Sequence, residues 1–182
     1  MKVLSVNVGL PRLVEYQGEP IATGIFKEPV EGKVPVGEQN LEGDRQADLS
    51  VHGGYHKAVY VYPSEHYEFW HEELPKMNLP FGIFGENLTT ENLLEADVNV
   101  GDCFRIGTAE FIVTEPRFPC FKLAIRFGRK DILRRFAQSG RSGFYLAIRK
   151  TDELQTGDAI GFLSREPNQS SIADVVRKRF NL

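Results

Sequence analysis

The chain is poor in cysteine: 182 residues hold two, Cys103 and Cys120. Two thiols cannot build a disulfide framework in a chain of this size, so a reducing compartment, the cytoplasm, is the expected location. Charge of one sign is also lacking, since the formal net charge is -3. A chain so close to neutral has no overall field for gathering a nucleic-acid polymer or an anionic membrane, and any anion must be held by a local cluster of donors. No apolar run approaches the length of about 18 residues that a membrane span needs. The opening "MKVLSVNVGLPRL" has one lysine and no long apolar stretch, so no signal peptide is expected. Gly-Lys-Ser/Thr, G-x-S-x-G, G-x-G-x-x-G and Cys-x-x-Cys patterns are all missing, which removes the common phosphate-loop, hydrolase-elbow, dinucleotide and zinc-ribbon readings.

What the chain has is apolar content, at 41%, enough for one domain with a core of its own. Short strand signals dominate: "KVLSVNV", "IATGIFKEPV", "GKVPVGEQ", "KAVYVYP", "GFYLAIRK" and "DAIGFLS". "DCFRIGTAEFIVTE" reads as two strands joined at Gly107–Thr108. Seven or eight short strands with Gly and Pro at the joints predict a mainly β domain, a barrel or sandwich, with a few short helices. Helices are expected at 64–74, with Tyr67, Trp70 and Leu74 on one face, at 120–126, at 131–138 with Asp131 as cap, and at 171–180. Ser171 and Asp174 fit a capping box at the start of the last one. The organisation is one domain over 1–165, its core about 20–163, then a short linker and C-terminal helix over 166–182. "VGDCFRIG" and "TGDAIGFL" echo one another as two similar strand entries.

The chemistry-bearing residues fall in four stretches. In "VTEPRFPCFKLA" (113–124) Cys120 follows two prolines and opens a helix, with Arg117 and Lys122 beside it. Prolines fix the backbone at two turn positions, and a helix start with basic neighbours favours an anionic sulfur, which is both a nucleophile and a soft metal ligand. A buried packing cysteine is the competing reading, and Cys103, which alternates against Phe104 and Ile106 in "DCFRI", is read that way. In "GDRQADLSVHGGYHKAVYVYP" (43–63) Asp44 and Arg45 follow a glycine, and His52 precedes Gly53 and Gly54. The glycine pair permits a sharp turn or a close approach to a ligand. Zinc at His52 and His56 is disfavoured, because that spacing works on a helix and two glycines oppose one. In "GIFKEPVEGKVPV" (24–36) Lys27 interrupts an apolar strand on the face of Ile25; it either snorkels to solvent or presents a cation to an interior ligand. "FGIFGENLTT" (81–90) adds Glu86 and Asn87 on a glycine-rich loop. Together they suit an anionic ligand with a soft metal on a small β-rich frame.

The order of "GIFKEPV", "LEGDRQAD", "VHGGYHKAVYVYPSEHYEFW", "FGENLTT", "VGDCFRIG" and "PRFPCFKL" over roughly residues 20–165 resembles the MOSC domain family. The nearest resemblance is to stand-alone bacterial members linked to resistance against N-hydroxylated base analogues. It implies a β-barrel of the pyruvate kinase-barrel kind and a molybdenum cofactor, molybdopterin, whose metal is ligated by a cysteine at the position of Cys120. A basic residue at Lys27 would meet the cofactor phosphate, with Arg45 beside it; pyridoxal phosphate binding is a further property associated with the family. Related enzymes reduce hydroxylaminopurines or amidoximes, N–OH to N–H, with electrons from a separate reductase. Within that reading Arg117 tunes the sulfur, Gly53, Gly54 and Asn87 shape the mouth, and His52, whose ordinary pKa is near neutral, is the proton donor. The alternative is a non-catalytic module that delivers the cofactor, or sulfur on Cys120. A third reading is a structural barrel with an incidental thiol. Expected partners are a small N-hydroxylated substrate and the reductase, with no nucleic-acid polymer and no membrane; a homodimer through exposed β-edges or the last helix is compatible with the chain and not required by it.

Overall fold

The computed structural model describes residues 1–47 and 54–182. The protein is mainly β, with four helices. An eight-stranded sheet runs in the order β12-β8-β9-β10-β6-β7-β1-β4. Its strands are β1 (Lys2–Val8), β4 (Glu28–Val30), β6 (Val59–Pro63), β7 (Leu88–Glu91), β8 (Cys103–Ile106), β9 (Ala109–Pro116), β10 (Phe144–Lys150) and β12 (Ile160–Ser164). All neighbours are antiparallel except β6 and β7. Parallel strands need a crossover, and α1 (Glu65–Glu73) lies in the one that joins them.

The sheet is an open succession. Among the described residues no ladder joins β12 to β4, so the closed barrel expected from sequence is not found. One isolated bridge, Lys2 to Ala159, and three backbone bonds, Ile160 N–H to Met1 O (3.1 Å), Val3 N–H to Asp158 O (2.9 Å) and Gly157 N–H to Val3 O (2.9 Å), connect the chain leading into β12 to β1. Two small sheets complete the β content. One pairs β2 (Arg12–Tyr16) with β3 (Glu19–Thr23), and the other pairs β5 (Lys33–Val36) with β11 (Asp152–Gln155). Gln17 and Gly18 form the β2–β3 turn, both with positive φ (57° and 84°), the geometry that matches the twist of paired strands.

The sequence "VYVYP" decides how the core divides. Strand side chains alternate between faces. Val59 and Val61 point into a core with Phe111, Phe144 and Leu146. Tyr60 and Tyr62 point the other way, into a second core with Trp70, Phe84 and Phe136, formed with α1, α2 (Phe121–Phe127) and α3 (Ile132–Ser139). Tyr62 and Phe84 stack at 4.4 Å between centroids, and Trp70 Nε1 donates to Tyr62 Oη at 2.6 Å. Each such aromatic pair adds about 0.5–1.5 kcal/mol beyond area burial.

Several local expectations are refined. The predicted strand through Lys27 is broken: β3 stops at Thr23, β4 begins at Glu28, and residues 24–27 are irregular. The Gly24 position explains the break, because a Cβ there would lie 2.5 Å from the backbone oxygen of Arg45. Two segments thus approach too closely for a side chain or a regular ladder. Asp131 sits at the start of α3 without a capping bond; its carboxylate is held by Arg129 and Arg135 instead. Ser171 does cap α4 (Ile172–Phe180), accepting from Asp174 N–H at 3.1 Å. Ile172 and Val176 of α4 lie in the first core, and no helix among the described residues is long and apolar enough to cross a membrane.

Candidate functional site

Two irregular segments and the turn leading into a helix meet where strands end, and they enclose an open cleft of about 100 Å³. Gly24, Ile25 and Lys27, residues 44–47, and Arg117, Phe118, Cys120 and Lys122 form its walls, and Tyr60 of β6 and Tyr145 of β10 line it as well. The structure therefore brings Cys120, Lys27, Arg45, Asn87 and Arg117 to one cavity, although they are spread over almost a hundred positions. His52 and Gly53 lie outside the described residues. Gly54, at φ 85°, leads into a short 3-10 turn over Tyr55–Lys57 and is not among the residues that line the cleft. Gln46 clamps that turn, donating to Lys57 O (2.8 Å) and accepting from Gly54 N–H (3.2 Å).

Lys27 and Asp44 are buried charges in the wall, with 7% and 1% of their surface exposed, and they form an ion pair. Asp44 also accepts from Gly9 N–H (3.0 Å) and from Asn87 Nδ2 (2.9 Å). The carboxylate thus has three donors, as a buried charge requires. Burial holds Lys27 below the ordinary lysine range, against the pull of Asp44 and, more weakly, Glu86. Lys27 is consequently a cation already matched by an internal acid. Asn87 is a brace: it donates to Asp44 and to Asn7 O, and accepts from Tyr60 N–H. Glu86 does not line the cleft. It is fully buried and saturated by Tyr67, Gly82 N–H, Phe84 N–H and Thr89.

Arg117 differs from Lys27. It is 5% exposed, stands over the rings of Tyr60 (5.1 Å) and Phe136 (5.2 Å), and has no ion pair among the described residues. Its Nη1 is sealed from solvent and has no hydrogen-bond acceptor among them. Burial opposes its charge, but Tyr60, Tyr145 and Cys120 together outweigh that, so its pKa is held above the ordinary arginine value. Arg45 lies at the exposed rim, bonded to Asn40 Oδ1 (3.0 Å) and to Asp44 O (3.1 Å). Cys120 is half-buried, extended in backbone, and sits at the N-cap of α2. Lys57, Tyr60 and Tyr145 are lining residues that the sequence did not single out; the alternation in "VYVYP" was the available signal for Tyr60. Cys103 is buried, as its packing role predicts, and Arg149 Nη1 lies 3.0 Å from its sulfur.

The family model described as MOSC domain matches residues 48–161. The chain belongs to the MOSC domain family. YflK of Bacillus subtilis strain 168, described as uncharacterized, is 46% identical over 163 residues, covering 90% of this chain and 73% of that protein. The crystal structure of YiiM from Geobacillus stearothermophilus superimposes on this MOSC protein with a TM-score of 0.82 at 33% identity, covering 98% of this chain and 83% of the other. A protein named Reductase from Gibberella moniliformis is 36% identical over 178 residues, 96% of this chain and 31% of that protein. The MOSC fold here is thus YiiM-like.

The residues present fit a phosphate-bearing, metal-containing cofactor. Arg117 Nη1 is a buried donor awaiting an acceptor in the same cleft as a cysteine sulfur. No cluster of three or more His, Cys, Asp or Glu ligands exists among the described residues. A metal placed here would take Cys120 from the protein and its other ligands from the cofactor.

Proposed function

We propose that this MOSC protein binds a molybdenum cofactor and reduces N-hydroxylated small molecules, hydroxylaminopurine- or amidoxime-like, with electrons from a separate reductase. The observation that carries the reading is the buried Arg117 Nη1, without an acceptor among the described residues, in the wall of the cleft that Cys120 also lines. The name Reductase borne by one relative supports a redox role.

The net change is cleavage of one N–O bond, taking up two electrons and two protons and releasing water. When bound, the cofactor supplies the two-electron chemistry. The chain supplies the setting. Cys120 offers a soft sulfur ligand from a backbone fixed by Pro116 and Pro119. Arg117 presents a desolvated guanidinium edge to an anionic group, and its rigid stacking on Tyr60 and Phe136 limits the entropy lost on binding. Lys27 adds positive charge next to Asp44, so the pocket tolerates an anion without holding an unmatched ammonium when empty. Arg45 and Lys122 extend the basic lining. Pyridoxal phosphate, whose aldehyde condenses with a lysine amine, would need Lys122, because Lys27 and Lys57 are committed to Asp44 and Glu115.

The test is molybdenum content. The protein purified from a host that makes molybdopterin is expected to carry the metal, and Cys120→Ala to carry at least tenfold less. Wild-type protein with an artificial reductant should turn over a hydroxylaminopurine. Equal metal in both proteins removes the ligand assignment. Persulfide on Cys120 with bound cofactor and no turnover replaces the enzyme by a carrier.

A further inference from the structure

Two arginines outside the cleft converge on one ring. Arg12 opens β2, and its guanidinium carbon lies 3.6 Å from the centroid of Phe26. Arg126, in the last turn of α2, lies 5.1 Å from the same centroid. The β2–β3 hairpin is held against α2 by Tyr16 and Phe121, whose rings stack at 6.1 Å. Among the described residues neither arginine forms an ion pair. Arg126 Nε is sealed from solvent without an acceptor among the described residues, and burial, with Arg12 adding to it, holds Arg126 below the ordinary arginine range.

Stacking on Phe26 accounts for the faces of the guanidinium groups and leaves their edges unused. The N–H donors lie in the guanidinium plane, so an aromatic ring on the face satisfies none of them. Packing of the Arg126 stem explains why that residue is half-buried. It does not explain why a second like charge is brought to the same ring, or why Nε lacks an acceptor. Glu28 and Glu86 are the carboxylates whose field reaches Arg126. Glu86 is saturated by its own loop, and Glu28 is exposed and unpaired with either arginine. In-plane guanidinium donors match the oxygens of a phosphate or carboxylate.

We infer that Arg12 and Arg126, seated on Phe26, form an oxyanion-binding site for a phosphate or carboxylate group. The site is distinct from the cleft, since none of these three residues lines it. Arg126 follows Cys120 by six residues along α2, a rise of about 9 Å. The assignment stands without the cofactor reading.

The experiment follows the arginine Nε–Hε resonances of the full-length, ¹⁵N-labelled protein during titration with inorganic phosphate and, in parallel, acetate, at constant ionic strength. The Arg126 signal is identified by its loss in Arg126→Lys. It is expected to shift saturably with at least one of the two anions, the more effective one naming the ligand class. The response should weaken at least tenfold in Arg12→Gln and persist in Arg117→Met, which disables the cleft and not this site. Retention in Arg117→Met also separates the outcome from that of the molybdenum test. The proposal is overturned if neither anion moves the signal, or if Arg12→Gln responds like wild type. It is equally overturned if Glu28→Gln alone moves the signal while phosphate and acetate do nothing, because the acceptor is then the chain's own carboxylate.

Discussion

Asn87 Nδ2 donates to Asp44 Oδ2 across 2.9 Å, and through that bond a loop residue fixes the carboxylate to which Lys27 is paired. Removing the acid therefore strands a buried ammonium. Asp44→Asn is expected to lose about 3–5 kcal/mol, the usual penalty for breaking one side of a buried pair. Lys27→Met combined with Asp44→Asn should recover more than half of the loss. Urea denaturation of the two variants and of wild type measures both, and equal stability of Asp44→Asn and wild type would show that the pair carries no structural weight.

Arg117 should behave in the opposite way. Its Nη1 has no partner to leave stranded among the described residues, so Arg117→Met is expected to change stability by less than about 1 kcal/mol, the worth of an ordinary hydrogen bond. Cofactor or phosphate retention in the cleft should nevertheless fall at least tenfold. Calorimetric melting alongside metal and phosphate analysis separates the two effects.

Gly143 is a second fixed point. Its φ is +60°, and a Cβ there would meet Val61 O at 2.3 Å. Its N–H bonds to Glu95 Oε1 at 2.6 Å, and its O accepts from Arg117 N–H at 3.3 Å. Gly143→Ala is expected to destabilise by about 1–3 kcal/mol from backbone strain alone, with the clash added. It should also loosen the Arg117 end of the cleft. A drop in melting temperature together with weaker anion retention is the signature.

The buried His66–Glu95 contact sets an acid limit. Burial favours the neutral carboxyl of Glu95, but His66 and Gly143 N–H outweigh it and hold the carboxyl below its ordinary range. A depressed carboxyl contributes stability that is complete above the unfolded value, about 4.3, and is lost as pH falls through the folded one. Unfolding free energy should decline on acidification from pH 5 downward, and Glu95→Gln should flatten that slope. A slope unchanged by the substitution would assign acid lability to other groups.

Sequence reading went furthest where the controlling residues are neighbours. The Gly107–Thr108 turn, the helix after Cys120 and the Ser171–Asp174 cap depend on adjacent positions, and all three occur as read. The β2–β3 hairpin has a local trace too, Gln17-Gly18 between the two paired segments. Apolar alternation runs across Gly24 and on through Lys27, and only the nearness of the Arg45 backbone shows why the ladder stops. Asp44 could not be recognised as the centre of the wall. Its three donors come from Gly9, Lys27 and Asn87, and nothing in residues 40–48 records that three distant segments close on it.

The strand Val59–Pro63 is a partition shared by both interiors, with valines on one side and tyrosines on the other. A shift of one residue in its pairing would exchange the two sets and drive two phenols into a space filled by valines. The cleft is therefore tied to the packing behind it. Diversification aimed at new ligands should leave this partition alone and work at lining residues such as Lys122, whose half-exposed side chain can change without the opposite interior registering the edit.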